Sequence, residues 1–168
     1  MNPRIELLSE KKLVGIRLSM SLSNYTIGEL WRIFIPRSKE ITNPLTDVLI
    51  SLVNYKSGHF SNFKPTNEFE RWAAIEVSDF DRIPPGMEKF VLSKGLYAVF
   101  NYQGLNTDHS IFQYIFETWI PNSEFLLDDR PHFEILGAKY KNNDPTSEEE
   151  IWIPICPKIK NKDSDYVA

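Results

Sequence analysis

The chain has 168 residues and a formal net charge of −4, which excludes the clustered Lys and Arg surface that phosphate neutralisation on nucleic acid requires. A hydrophobic share of 42% and a charged share of 25% belong to a folded domain rather than a disordered chain. The first eight residues mix charge with apolar alternation and no apolar stretch approaches the roughly 20 residues that span a bilayer, so neither a secretory signal nor a membrane helix is expected and the protein reads as cytoplasmic.

Residues 4–8 and 12–20 read as strands that can pair through a turn at residues 9–11. Ile27, Leu30, Trp31, Phe34 and Ile35 then follow the i, i+3, i+4, i+7, i+8 spacing of a helix with one apolar face. Thr26 and Glu29 have the form of a capping box, and Pro36 should stop or kink the helix. Strands follow at 46–55 and 69–78, and the Pro84-Pro85-Gly86 break separates them from a second pass. That pass holds strands at 87–92 and 96–102, and a helix carrying Ile111, Phe112, Ile115, Phe116 and Trp119. Strands at 132–139 and 150–156 complete it. The charged tail after Pro157 should be loose.

The second pass echoes the first. Leu13-Val14-Gly15-Ile16 is answered by Leu96-Tyr97-Ala98-Val99, Phe34-Ile35-Pro36 by Trp119-Ile120-Pro121, and Trp72-Ala73-Ala74-Ile75 by Trp152-Ile153-Pro154-Ile155. Shared order and similar offsets indicate a duplication. The fold class is therefore α+β: one domain over residues 1–168 made of two β-α-β-β units, about 4–80 and 87–157, related by a pseudo-two-fold. Its antiparallel sheets, each backed by one main helix, should enclose a central pocket.

Strand alternation sorts the candidate site residues. Ile151, Ile153 and Ile155 share one face of their strand, opposite Glu150 and Trp152; Ile75 and Val77 oppose Trp72 and Glu76; Phe133 and Ile135 oppose His132 and Glu134. The face away from the helices should thus present Trp72, Glu76, Glu134, Glu150 and Trp152. Aromatic planes around a carboxylate suit planar or cationic apolar ligands, and four Trp, seven Tyr and eleven Phe exceed what a small core needs. Glu148 and Glu149 read as part of a solvated turn. His59, His109 and His132 lack metal-ligand spacing, the lone Cys156 reads as a small hydrophobe in an apolar strand, and no phosphate loop or hydrolase motif occurs, so no metal and no cofactor are expected.

The stretches Phe69–Val77, Gly95–Phe100 with Gly104, Phe112–Pro121, Pro131-His132-Phe133-Glu134, Asn143-Asp144-Pro145 and Glu150–Ile155 together resemble the GyrI-like effector-binding family, found alone and fused to DNA-binding regions in AraC-type and MerR-type bacterial regulators. The resemblance runs from about Arg4 to Pro157. It implies capture of a bulky aromatic, often cationic, compound, with Glu134 in the position of a buried pocket glutamate, Tyr97 and Trp152 as aromatic walls, and Trp72 and Glu150 as weaker correspondences; Glu76 and His132 complete the candidate ligand-binding set. It also implies two alternatives: hydrolysis of reactive cyclopropane-containing genotoxic compounds, with Glu134 as the catalytic group, and a protein-interaction role such as topoisomerase inhibition. Nothing before Arg4 could form a helix-turn-helix, so the partner expected is a small aromatic or cationic ligand, with a homodimer or a protein partner left open and no direct nucleic-acid or membrane binding.

Overall fold

A computed structural model describes residues 1–159. The strands are β1 (Arg4–Leu8), β2 (Lys11–Met20), β3 (Leu49–Tyr55), β4 (Phe69–Val77), β5 (Glu88–Leu92), β6 (Gly95–Gln103), β7 (Phe125–Leu127), β8 (His132–Leu136) and β9 (Glu148–Pro157). Helix α1 (Ile27–Arg37) follows β2; after β6 come α2 (Ser110–Tyr114), a widened π turn (Ile115–Trp119) and α3 (Ile120–Asn122). The strands pair antiparallel in the order β1-β6-β9-β8-β3-β4-β2-β5, with β7 on the far end of β9. Read from the β3–β8 junction outward, the two halves have matching order, which is the arrangement the internal repeat implies. Beyond the tail's first two residues, the expected loose segment lies outside the described residues.

The edge strands depart from expectation. Instead of forming a hairpin with β2, β1 pairs along its whole length with β6 of the second half, Arg4 opposite Val99 and Leu8 opposite Gly95. In the same way β5, which precedes β6, pairs with β2, Lys11 opposite Leu92. Each half therefore lends its first strand to the other. Only Ser9 and Glu10 separate β1 from β2, and only Ser93 and Lys94 separate β5 from β6. Such links span about 11 Å at most, so the ends of the sheet must curl towards each other.

The curl buries the middle of one face. Leu8, Leu13, Leu92 and Tyr97 from the two ends pack with Ile50, Leu52, Trp72, Phe133 and Trp152 from the middle. On the other face, Leu30 and Phe34 of α1 cover Val14, Ile16, Ala73, Ile75 and Val77, while Ile111 and Ile115 cover Ala98, Phe100, Ile151, Ile153 and Ile155. Both helices thus lie on the same face, one over each half, as their apolar spacing requires.

Local details differ from the sequence reading at the helix ends. Thr26 makes no side-chain cap; its carbonyl accepts from the N–H groups of Glu29 and Leu30 instead. Pro36 lies in the last turn of α1, where Ile35 turns out to be exposed. Strand β8 ends at Leu136, three residues before the expected end, and β9 starts two residues earlier than expected, at Glu148.

Gly15 marks the tightest approach in the sheet. A Cβ there would lie 2.1 Å from the Ala73 carbonyl oxygen and 2.7 Å from the Ala74 Cα, and backbone atoms within a paired ladder cannot swing aside. Overpacking of this kind costs about 1–3 kcal/mol. Gly15→Ala is expected to lower stability by at least that amount in a chemical or thermal unfolding titration, with strand content retained at low temperature.

Candidate functional site

Between the two helix-covered patches runs a strip of the same sheet face on which polar and ionisable side chains stand among buried Val53 and Leu136. Ser51 of β3 stands directly opposite Glu134 of β8 and Ala73 of β4. On this face Arg71 neighbours Ala73 along β4, Tyr55 closes β3, His132 precedes Glu134 on β8, and Glu149 precedes Ile151 on β9. Period-2 alternation therefore places Tyr55, Ser51, Arg71, His132, Glu134 and Glu149 on one surface. These are strand positions, which hold side chains more firmly than loops.

Aromatic rings cover one end of the strip. The loop at residues 56–68 folds back so that Phe60 stacks on His132 (centroids 5.9 Å apart, 22° between planes) and on Phe116 of the π turn (6.0 Å, 29°). Tyr55 packs edge-on against His132 at 5.1 Å and against Phe60 at 4.8 Å. His59 joins from the loop, 4.6 Å from the Tyr55 ring. Phe60 nevertheless keeps 45% of its surface exposed, so it lies at the border between the cluster and solvent. Phe116 makes its contact with Phe60 from within the widened turn of the second helix.

Burial dictates the electrostatics. Glu134 retains some solvent contact, yet protein surrounds its carboxyl, and this desolvation pushes its pKa up, opposed by the positive fields of Arg71 and His109. Desolvation and the neighbouring Glu134 charge raise Glu149 to about 7, again with Arg71 opposing. His132 is pushed the other way, down to about 3, by burial and then by Arg71 and His59; it is a neutral ring at physiological pH, suited to packing rather than to holding charge. Tyr55 rises to about 12, mainly through burial. Glu149 also lines an open groove of about 640 Å³ with Asn101, Tyr102, Ile135, Lys139 and Glu150, formed where β8 ends and the sheet parts from β9. Its size is that of a small-molecule site.

The sequence-derived site residues divide between two faces. Glu134 and His132 belong to the strip, together. Tyr97, Trp152 and Trp72 do not: they lie on the opposite, curled-in face, with Tyr97 fully buried and Trp152 6% exposed. There Tyr97 Oη donates to the Pro131 carbonyl (2.8 Å) beneath the Arg130 guanidinium, and Trp152 stacks on Phe133 at 5.1 Å and 18°. Trp72 packs with Phe90. Glu76 and Glu150 share that face but turn to its rim, Glu76 paired with Lys11 at 2.8 Å and Glu150 with Arg4 at 2.6 Å, while Trp152 Nε1 donates to Glu150 at 3.0 Å. The expected grouping of Glu134 with the tryptophans on the helix-free face is therefore corrected. The expectation took the apolar face of β8 as the helix side, but this sheet buries both faces, and Phe133 and Ile135 belong to the inner one.

The structure adds Tyr55, Phe60, Arg71, Phe116 and Glu149 to the strip. Glu149 had read as part of a solvated turn; it is a half-buried strand residue. One signal for Arg71 was present: in the run Phe69, Arg71, Ala73, Ile75, Val77 it is the single charged residue on an otherwise apolar alternation. Nothing in the pattern of residues 56–68 indicated that Phe60 would fold back. Among the described residues no cluster of His, Cys, Asp or Glu has the geometry of a metal site, and no helix is long and apolar enough to cross a membrane.

Comparison with known proteins agrees with this architecture. The model of a family described as Cass2, integron-associated effector binding protein, matches residues 4–155. The transcriptional regulator BrlR of Pseudomonas aeruginosa is 28% identical over 145 residues, covering 85% of this chain and 51% of the regulator, so the chain spans about half the length of that relative. The structure of SAV2435 bound to tetraphenylphosphonium matches with a TM-score of 0.65 at 20% identity, over 93% of this chain and 94% of that one. An integron cassette protein from the mobile metagenome of Vibrio cholerae matches with a TM-score of 0.65 at 17% identity, over 93% and 97%. At these identities the two solved structures establish the α+β fold, with its two helices on a large antiparallel sheet. With the family model spanning nearly all of the described chain, the protein belongs to the Cass2 family of integron-associated effector-binding proteins, within the GyrI-like group that its sequence resembles.

Proposed function

We propose that the strip between the helices captures a lipophilic aromatic cation, with Glu134 as its counter-charge and Tyr55, Phe60 and Phe116 as its aromatic surroundings, and that occupancy serves effector sensing or sequestration. The observation that carries this reading is an enclosed carboxyl, without an ion-pair partner among the described residues, beside stacked rings. Such a group is expensive to ionise. An incoming monocation relieves that cost and gains the ring quadrupoles at the same time, about 2 kcal/mol where the contact is desolvated. That a structural relative was solved with tetraphenylphosphonium supports the same ligand class here.

A second reading rests on the same carboxyls. A glutamate titrating at about 7 is tuned for general acid or base work, which suits hydrolysis of an electrophilic aromatic compound. Product formed beyond one equivalent of protein would establish turnover; protection of one equivalent and no more would establish capture.

Titration calorimetry with tetraphenylphosphonium tests the site. Saturable binding is expected in the unmodified protein, weakened at least tenfold, about 1.4 kcal/mol, by Glu134→Gln and by about three- to tenfold in Phe60→Ala, where one ring face is lost. Equal affinity in all three proteins would rule out the proposed site.

The raised carboxyls also set a pH dependence. Because Glu149 titrates near 7 in the fold against an ordinary 4.5, the folded state holds its proton more tightly than the unfolded chain. The associated stability is fully present below about pH 4.5 and is lost as pH rises through 7. The free protein is therefore expected to become less stable from pH 5 to pH 8, with Glu149→Gln flattening that slope. Tetraphenylphosphonium carries a permanent charge, so its affinity should rise over the same interval as protons leave the site.

A further inference from the structure

Arg71 is the least expected residue of the strip. It is 8% exposed, yet among the described residues no ion pair joins it to a carboxylate. Its guanidinium donates from Nη2 to Ser51 Oγ at 2.8 Å, a neutral acceptor, and its Nε is buried with no partner. Glu134, Glu149, His132 and Tyr55 all lie within its field.

This arrangement is costly for the free protein. A buried guanidinium without a paired anion loses its hydration with no ionic compensation, and a buried N–H left unmade adds the desolvation of an unsatisfied donor. The planar fork of donors matches a carboxylate better than any other side chain does. A pure cation at Glu134 leaves both of these costs in place and adds repulsion from Arg71. A ligand carrying a negative oxygen group as well removes them.

We propose that Arg71 is the receptor for an anionic oxygen group of the ligand, so that the preferred occupant is an aromatic zwitterion with its amine cation at Glu134 and its carboxylate at the Arg71 guanidinium. The inference rests on the reading of Glu134 as the cation pole and adds the opposite pole. The two poles lie on the strands that flank β3, Arg71 on β4 and Glu134 on β8, and are joined through Ser51 of β3, which hydrogen-bonds Arg71 and stands opposite Glu134 in the sheet. An occupant of this class therefore needs its charges on one rigid ring system, not at the ends of a long chain.

Norfloxacin, with a piperazinium and a ring carboxylate, and its ethyl ester, with the same rings and amine but no negative charge, separate the alternatives by calorimetry or ligand fluorescence at pH 7.5. In the unmodified protein the acid is expected to bind at least tenfold more tightly than the ester. In Arg71→Gln the two should come within twofold of each other, while tetraphenylphosphonium binds about threefold more tightly or better once the repelling cation is gone. Equal binding of acid and ester by the unmodified protein overturns the proposal, and that comparison stands even where the variant does not fold. A tenfold acid preference that survives in Arg71→Gln overturns it as well. Should tetraphenylphosphonium bind in a Glu134-dependent manner while acid and ester are equal, only the role of Arg71 falls; should none of the three bind, the cation site falls and this inference with it.

Discussion

The structure turns on ionisable side chains held in the middle of a sheet whose two faces are otherwise committed to apolar packing. Helix α1 covers one half of the outer face and the second helical segment the other; the inner face is filled by rings and aliphatic chains from both ends of the sheet. Only the junction of the halves, around β3 and β8, is lined by ionisable groups in place of aliphatic chains, and it too is largely buried. Arg71, Glu134 and Glu149 collect there, where water is scarce enough to raise both glutamates and where the rings of Tyr55, Phe60 and Phe116 supply the nearest surface. A packed core would be cheaper with leucines at these positions. Retaining charge in such a place is characteristic of a site whose free energy is completed by something that binds.

Much of the architecture could be read from residues alone. Apolar spacing in 27–35 and 111–119 located both helices, alternation located most strands, and the echo of Leu13–Ile16 in Leu96–Val99 and of Trp72–Ile75 in Trp152–Ile155 foretold two matched halves. Pairing partners were less accessible. A two-residue link such as Ser9-Glu10 is the usual sign of a hairpin, and only the position of β6, far along the chain, diverts β1 from that outcome.

The site was legible in part, for a related reason. Alternation tells which residues share a face but not which face a helix covers, and in β8 both sets are buried: His132 and Leu136 on one side, Phe133 on the other. Glu134 was identified from strand alternation and from the family resemblance, and its placement with Trp72 and Trp152 failed because those rings belong to the inner packing. Phe60 was invisible because a loop residue acquires its role from the fold around it. Arg71 was visible as a charge in a strand, whereas Glu149 read as part of a solvated turn; the significance of both depends on which elements the fold brings together, which no local pattern carries.

The exchange of edge strands has a consequence for how this molecule can come apart. A cut in the connector between Val77 and Glu88 would leave an amino-terminal piece whose β2 lacks its outer neighbour and a carboxy-terminal piece whose β6 lacks its own, because each missing strand is on the other fragment. Neither piece could close its ladder alone, and each would expose a long row of unpaired amides. Duplication began with a unit that could be copied, but the copies are now interlaced, and the chain must assemble both together or neither.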